Sequence, residues 1–230
     1  MKRLIALLPL LFFLFSHGQP SATTDSLVSI YYKQEGLTLP IFNGRKYYGY
    51  GANIEGDPYY YYHEWQTGSV IYEGARYNNL SIQYDIYADQ VLVTNSIGLP
   101  FNLYSERVEE FTLPNMKFVR LYPDKDRVLK EGFYQKLVEG KLTILARRVK
   151  KLDEKIDVSG IERKFIASNV YYALKDGKYY LMKNKHSIYN LLDDNKSKIN
   201  DFLNERNIRY KTDPETALIQ IGQLYNQLSK

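Results

Sequence analysis

The chain contains no cysteine, a single tryptophan and only three histidines among its 230 residues. Without cysteine, neither a disulfide framework nor a thiolate zinc site can form, so the fold must rest on its apolar core. The same absence excludes a lipid anchor attached to a cysteine behind a signal peptide. An exported chain without disulfides fits the bacterial periplasm or cell surface better than animal secretion.

The first residues have the three parts of a cleavable signal peptide. Met1-Lys2-Arg3 is positively charged, residues 4–15 are apolar apart from Pro9, and small residues flank His17. The apolar run is shorter than the roughly 20 residues of a transmembrane helix. We therefore expect a signal peptide at residues 1–18, a disordered leader at residues 19–26, and no transmembrane segment in the mature, exported protein.

The formal charge of +5 gives little indication of a partner. Two of the positive charges belong to the signal peptide, and the only dense basic run is Arg147-Arg148 with Lys150-Lys151. A nucleic-acid-binding protein concentrates such residues in a stripe or patch. We interpret this run as a solvated strand end and expect no nucleic-acid partner.

Residues 27–183 have the alternating apolar pattern of antiparallel β-structure, with a turn signal every eight to fifteen residues. Residues 80–86 show this alternation most clearly and predict one buried and one exposed face. Asp176-Gly177 predicts a tight hairpin that places Leu174 opposite Tyr179. Residues 153–162 are the most linker-like stretch of this region.

After Met182 the apolar period becomes helical. Three short stripes occur in residues 184–230, and the third has the strongest start signal, with Asp213 as N-cap and Pro214 in the first helical position. Ser187 is the predicted cap of the first helix. The fold class is therefore α+β: an antiparallel β-sandwich or barrel-like body, followed by a small C-terminal unit of about three helices that packs on the body.

No catalytic motif emerges from the sequence. His63 and His186 lie in different predicted regions, and no pattern pairs either with a nucleophile. Glycoside hydrolysis would need two carboxylates across a cleft, for which the available acidic side chains include Glu64, Glu73, Asp85 and Asp89. We predict no catalytic residue, no metal site and no cofactor.

Tyrosine is concentrated in one region of the chain. Residues 47–87 hold eleven of the 23 tyrosines and the only tryptophan, and residues 59–62 are four consecutive tyrosines. Because strand side chains alternate, an extended run of four must turn two rings outward. Such rings bind sugars or partner proteins with little loss of entropy. The predicted ligand- or partner-binding residues are Tyr48, Tyr50, Tyr59, Tyr61 and Trp65.

Four strings carry a resemblance to other sequences. Residues 43–50 read Asn-Gly-Arg-Lys-Tyr-Tyr-Gly-Tyr, residues 56–60 read Gly-Asp-Pro-Tyr-Tyr, and residues 84–89 and 211–218 complete the set. Together they resemble uncharacterised exported, tyrosine-rich proteins of Gram-negative bacteria. The resemblance implies an exported location over most of the mature chain and brings no catalytic residues with it.

These observations favour a non-catalytic envelope protein that binds a partner protein or a glycan through its tyrosine-rich region. Two alternatives stay open at this point. One is a hydrolase acting on envelope glycans, and the other is a purely structural envelope component whose tyrosines only pack the sheet. The sequence does not define an oligomeric state.

Overall fold

The computed structural model describes residues 39–51, 53–95, 97–158 and 160–229. The predicted signal peptide and leader, and residues 27–38 of the predicted β-body, lie outside the described residues. Within them are twelve strands: β1 Arg45–Lys46, β2 Ile54–Glu55, β3 Gln66–Tyr72, β4 Ala75–Asp85, β5 Gln90–Thr94, β6 Pro100–Asn102, β7 Val108–Leu113, β8 Met116–Leu121, β9 Gly132–Val138, β10 Leu142–Asp157, β11 Gly160–Lys175 and β12 Lys178–Leu181.

All twelve strands belong to one open sheet with the order β1-β6-β5-β4-β3-β7-β8-β9-β10-β11-β12. Neighbouring strands on this path are antiparallel, and β2 adds to β11 in parallel. The predicted turn at Asp176-Gly177 joins β11 to β12, and Leu174 pairs with Tyr179 as expected. The sheet precedes three helices, so the predicted α+β class is confirmed.

The sheet curls so that strands distant in its order meet. The backbone N–H of Lys150 in β10 donates to the carbonyl of Ile86, just after β4, at 3.1 Å. Inside the curl lies an aromatic core in which Phe111 and Phe118 stack at 4.6 Å and the ring of Tyr84 stands edge-on against both. Edge-to-face and stacked pairs of this kind stabilise a core beyond their area burial.

The predicted alternation of β4 is wrong at its C-terminal end. Gln83 and Asp85, which the pattern assigned to the wet face, are both buried. The reason is that residues 57–63 cross that face and supply partners: Gln83 donates to the carbonyl of His63 at 2.6 Å. A buried polar side chain is tolerated where such a hydrogen bond replaces water.

Strands β10 and β11 have sixteen residues each, the longest strands of the sheet, and together form a hairpin. Residues 153–162, which the sequence marked as linker-like, form its distal end, where Ile156 pairs with Ile161. Charged cross-strand pairs such as Asp153 with Lys164 make this end polar without breaking the strand pattern.

Three helices follow the sheet: α1 Lys185–Leu191, α2 Lys196–Glu205 and α3 Pro214–Leu228. Asp213 caps α3 through the N–H of Thr216, as predicted. The predicted cap of α1, Ser187, is wrong. The N-cap is Asn184, whose side-chain oxygen accepts the backbone N–H of Ser187. The helices cover the base of the hairpin around Leu142 and Ile144. In the described part of the chain, no helix has the length and apolarity of a membrane span.

Candidate functional site

The tyrosine run at residues 59–62 is a loop and not a strand, so its predicted alternation is wrong. The Asp57 carboxylate accepts the N–H of Tyr59 at 2.7 Å, which sets an Asx turn around the buried Pro58. Tyr61 then adopts a left-handed backbone with φ of 62°. As a result Tyr60 packs on the aromatic core, while Tyr61 projects into solvent with 73% of its surface exposed.

Lys150 holds this loop against the sheet. Its ammonium group donates to the carbonyls of Asp57 and Tyr59, both at 2.7 Å, and pairs with the Asp57 carboxylate at 3.2 Å. The interpretation of the basic run as a solvated strand end is therefore wrong for this residue. It is also wrong for Arg148, which is only 2% exposed. From Leu142 to Lys150 the even-numbered residues of β10 face inward, which a count of charges cannot show.

The loop and the end of β4 enclose a hydrogen-bonded cluster centred on Asp85. One carboxylate oxygen accepts the Tyr50 hydroxyl at 2.6 Å and, more distantly, the Tyr47 hydroxyl at 3.5 Å. The other accepts the N–H groups of Tyr87 and Ala88, both at 2.9 Å. The carboxylate is fully buried, and these donors replace its hydration shell.

The ionisation states follow from this burial. Burial raises the pKa of Tyr50, and the adjacent Asp85 carboxylate raises it further through their hydrogen bond. Burial also raises the pKa of Asp85, and its hydrogen bonds from Tyr50 and the backbone only partly oppose that shift. Tyr50 therefore remains a protonated donor, and its ring is held in a single position.

Above this hydrogen-bonded layer stand three aromatic rings. Tyr50, Tyr87 and Phe165 contact one another at centroid distances of 5.2–5.6 Å, and every pair is edge-on, with interplanar angles of 67–79°. Phe165 is buried beneath its neighbours, whereas Tyr50 and Tyr87 are 37% and 40% exposed. We call these three residues the aromatic trio.

The face of the hairpin that carries the trio continues toward its distal end. Residues 161, 163 and 165 alternate onto one side of β11, so Ile161 lies on the same face as Phe165, roughly 13 Å along the strand. Ile161 and its partner Ile156 are 51% and 76% exposed. The Arg163–Glu154 ion pair, 3.2 Å long, lies between them and the trio. The result is an elongated face with apolar groups at both ends.

The five predicted binding residues do not form one cluster. Tyr50 belongs to the trio, and Tyr59 lies beside it, donating its hydroxyl to that of Tyr47 at 3.3 Å. Tyr61 contacts Tyr60 and Tyr62. Tyr48 is 83% exposed and its ring meets Lys46. Trp65, half-buried before β3, makes no aromatic ring pair within the described residues.

Three of the four carboxylates considered for hydrolysis are engaged elsewhere. Asp89 accepts the Tyr84 hydroxyl at 2.6 Å and lies 3.7 Å from Arg147, while Asp85 is closed inside its own cluster. Glu73 pairs with Arg107 at the surface. Over the described ranges, no three histidine, aspartate or glutamate side chains converge as metal ligands.

Comparison with known proteins gives no relative for this arrangement. No protein family, curated protein or solved structure matches the chain.

The sequence interpretation did not assign Asp85, Tyr87 or Phe165 to a binding site. Asp85 and Tyr87 lie inside the tyrosine-rich region, and an acidic residue between two tyrosines in a short Tyr-Asp-Ile-Tyr string is a signal for a hydrogen-bonded turn. Phe165 has no comparable signal. It joins the site because the long hairpin folds back over the β4–β5 turn, a contact between distant parts of the chain.

Proposed function

We propose that the protein is an exported, non-catalytic envelope protein that binds a partner protein through the face formed by the aromatic trio, Ile156 and Ile161. The observation that supports this proposal is that an exposed aromatic ring of this face is held in place by a buried hydrogen bond. Tyr50 is fixed by its hydrogen bond to buried Asp85, so its ring loses little entropy when a partner covers it.

The ring geometry favours a protein over a glycan. Sugar rings stack on flat, accessible aromatic faces, but the rings of the trio stand at 67–79° to one another and present no common plane. Exposed aliphatic residues such as Ile161 fit the apolar centre of a protein interface. The internal engagement of Asp85 and Asp89 further favours binding over glycan hydrolysis.

Site-specific photocrosslinking tests the proposal. The photoreactive amino acid benzoylphenylalanine is placed at Tyr87 or Ile161 in the native host, with Tyr122, an exposed tyrosine outside the aromatic trio, as the matched control. We expect the same discrete protein adduct from Tyr87 and Ile161 and none from Tyr122. Adducts that do not differ among the three positions would refute a protein interface on this face.

A second measurement separates this proposal from its alternatives. Tyr87→Ser with Ile161→Ser should abolish the adduct formed from a third position, Ile156, with circular dichroism confirming that the double variant remains folded. Retention of that adduct would contradict the proposed contact. Binding of a purified envelope glycan that is lost in the same double variant would assign the face to glycan instead.

Export is tested independently of the partner. We expect the protein isolated from the envelope fraction to begin at Gln19, as the predicted signal-peptidase site requires. Mass spectrometry of the isolated protein measures this directly. An intact Met1 in envelope material would contradict cleavage.

A further inference from the structure

A second surface, far along the chain from the tyrosines, has the composition of a ligand site. A groove of about 580 Å³ lies between the start of α1 and the segment that joins α2 to α3. This volume falls within the range of small-molecule sites. Its lining comes from residues 183–186 around the start of α1, the end of α2, residues 208–211 of the connecting segment and the start of α3.

The charge of the lining is one-sided. Four lysine or arginine side chains border the groove, and no aspartate or glutamate does. Lys185 is occupied, since it donates to Asn200 and lies over the Tyr189 ring. Lys183, Arg209 and Lys211 are exposed and form no ion pair with any described residue. Three cations are thus available for an anionic ligand.

The floor of the groove is apolar. Leu203 is buried in the helical core, and Ile208 and Tyr210 pack against that core from the connecting segment. Tyr210 also contributes a hydroxyl that is shielded from water and has no hydrogen-bond partner among the described residues. A shielded donor without a partner is costly to the folded state.

The wall that carries the cations is fixed by backbone hydrogen bonds. The N–H of Ile208 donates to the carbonyl of Leu203 at 2.9 Å as α2 ends. The carbonyl of Arg209 then accepts the N–H groups of Thr212 and Asp213 at 3.2 and 3.0 Å. Because these three bonds close tight turns, the groove exists before any ligand arrives, which lowers the entropic cost of binding.

We propose that this groove binds an anionic amphiphile, an acyl chain that ends in a carboxylate. The chain would lie on Leu203, Ile208 and Tyr210, and the carboxylate would lie among Lys183, Arg209 and Lys211. An acyl chain needs no hydrogen bonds along its length. An acidic peptide would also bring backbone N–H and carbonyl groups that need partners, and the side chain of Asn184 in the lining is already used as the cap of α1.

Calorimetric titration of the full chain with dodecanoate, below its micelle concentration, tests the proposal. The charge-reversed variant is Arg209→Glu with Lys211→Glu, and the matched control is Lys178→Glu, an exposed lysine outside the groove. We expect saturable binding that weakens at least about tenfold in the double variant and stays within about twofold in the control.

Two further ligands separate the charged and apolar contributions. Dodecanol, which has no charge, should bind the wild type at least about tenfold more weakly than dodecanoate. Acetate, which has no chain, should not compete with dodecanoate. Ile208→Asn should weaken dodecanoate binding, because it puts a polar side chain in the apolar floor of the groove. Circular dichroism should confirm that the helices remain folded.

Several results would overturn the proposal. These are the absence of saturable dodecanoate binding to the wild type, equal binding by the wild type and the double variant, and competition by acetate. Tighter capture of an acidic peptide than of dodecanoate, lost in the same double variant, would replace the amphiphile with a peptide ligand. None of these results depends on a partner at the aromatic trio.

Discussion

Neutralising Glu215 should destabilise the fold, because its carboxylate pairs with the buried Arg148. Glu215 lies in the first turn of α3 and receives two hydrogen bonds from Arg148, at 2.5 and 2.8 Å, and one from the Tyr171 hydroxyl at 2.8 Å. Arg148 is also held by Gln135 at 2.8 Å and by the Tyr60 ring at 5.0 Å. This network joins the helical unit to the inner face of β10.

The magnitude follows from burial. Removing one partner of a fully buried ion pair costs about 3–5 kcal/mol, because the other charge is left without compensation. Arg148 meets that condition with 2% exposure, but the Glu215 side chain is 31% exposed, so water relieves part of the cost. Glu215→Gln also keeps one acceptor. We therefore expect the free energy of unfolding to fall by about 2–3 kcal/mol.

Urea unfolding followed by circular dichroism measures this loss. Glu205→Gln is the matched control, since Glu205 is an exposed glutamate at the end of α2 without an ion pair in the described chain, and its change should stay within about 0.5 kcal/mol. In the double variant Arg148→Met with Glu215→Gln, the free energy of unfolding should fall by less than the sum of the decreases in the two single variants. A loss below about 0.5 kcal/mol for Glu215→Gln, or strict additivity, would refute the reasoning.

The same pair predicts a pH dependence of definite sign. Burial alone would raise the pKa of Glu215, but the hydrogen bonds and charge of Arg148 outweigh it and hold the pKa below its ordinary 4.5. The folded state therefore binds a proton more weakly than the unfolded chain. The stabilisation is complete above pH 4.5 and is lost as the pH falls through the folded pKa. The stability gap between wild type and Glu215→Gln should narrow over that window.

Three other substitutions give further tests by thermal or urea unfolding. Gly68→Ala should lower the free energy of unfolding by about 2–3 kcal/mol, because the new methyl group would lie 2.1 Å from the Thr112 carbonyl oxygen. The control Gly51→Ala, whose methyl group would meet open space, should leave it unchanged. Asp85→Ala should lower the free energy of unfolding by about 2–3 kcal/mol, because two backbone N–H groups lose their acceptor. Asp85→Asn, which keeps an acceptor oxygen, should lower it by less than about 1 kcal/mol. Tyr210→Phe should raise stability by about 1 kcal/mol by removing an unpaired hydroxyl. An opposite sign in any of the three would contradict the local account.

The parts of the fold that depend on neighbours in sequence were predictable. Asp176-Gly177 fixes a tight turn, so the pairing of Leu174 with Tyr179 followed from the chain alone. Asp213 and Pro214 fixed the start of α3 in the same way. In each case the decisive interaction spans only a few residues, and no distant segment competes with it.

The site depends on contacts that a local pattern does not contain. Arg148 and Lys150 belong to one charged run, yet both are directed inward because the register of the sheet assigns them to the covered face. Tyr61 is exposed, but its exposure comes from a left-handed turn and not from strand alternation. Phe165 is brought to Tyr50 only by the fold of the long hairpin.

One strand determines how both proposed sites are positioned. Even-numbered residues of β10 meet, in order, the helices at Ile144, the Glu215 carboxylate at Arg148 and the tyrosine loop at Lys150. A shift of one residue in register would turn all of them to the opposite face. The Asn226 side chain opposes such a shift, since it both donates to and accepts from the backbone of Leu142, at 2.9 and 2.8 Å. Helix α3 thereby fixes the register on which the distant aromatic trio depends.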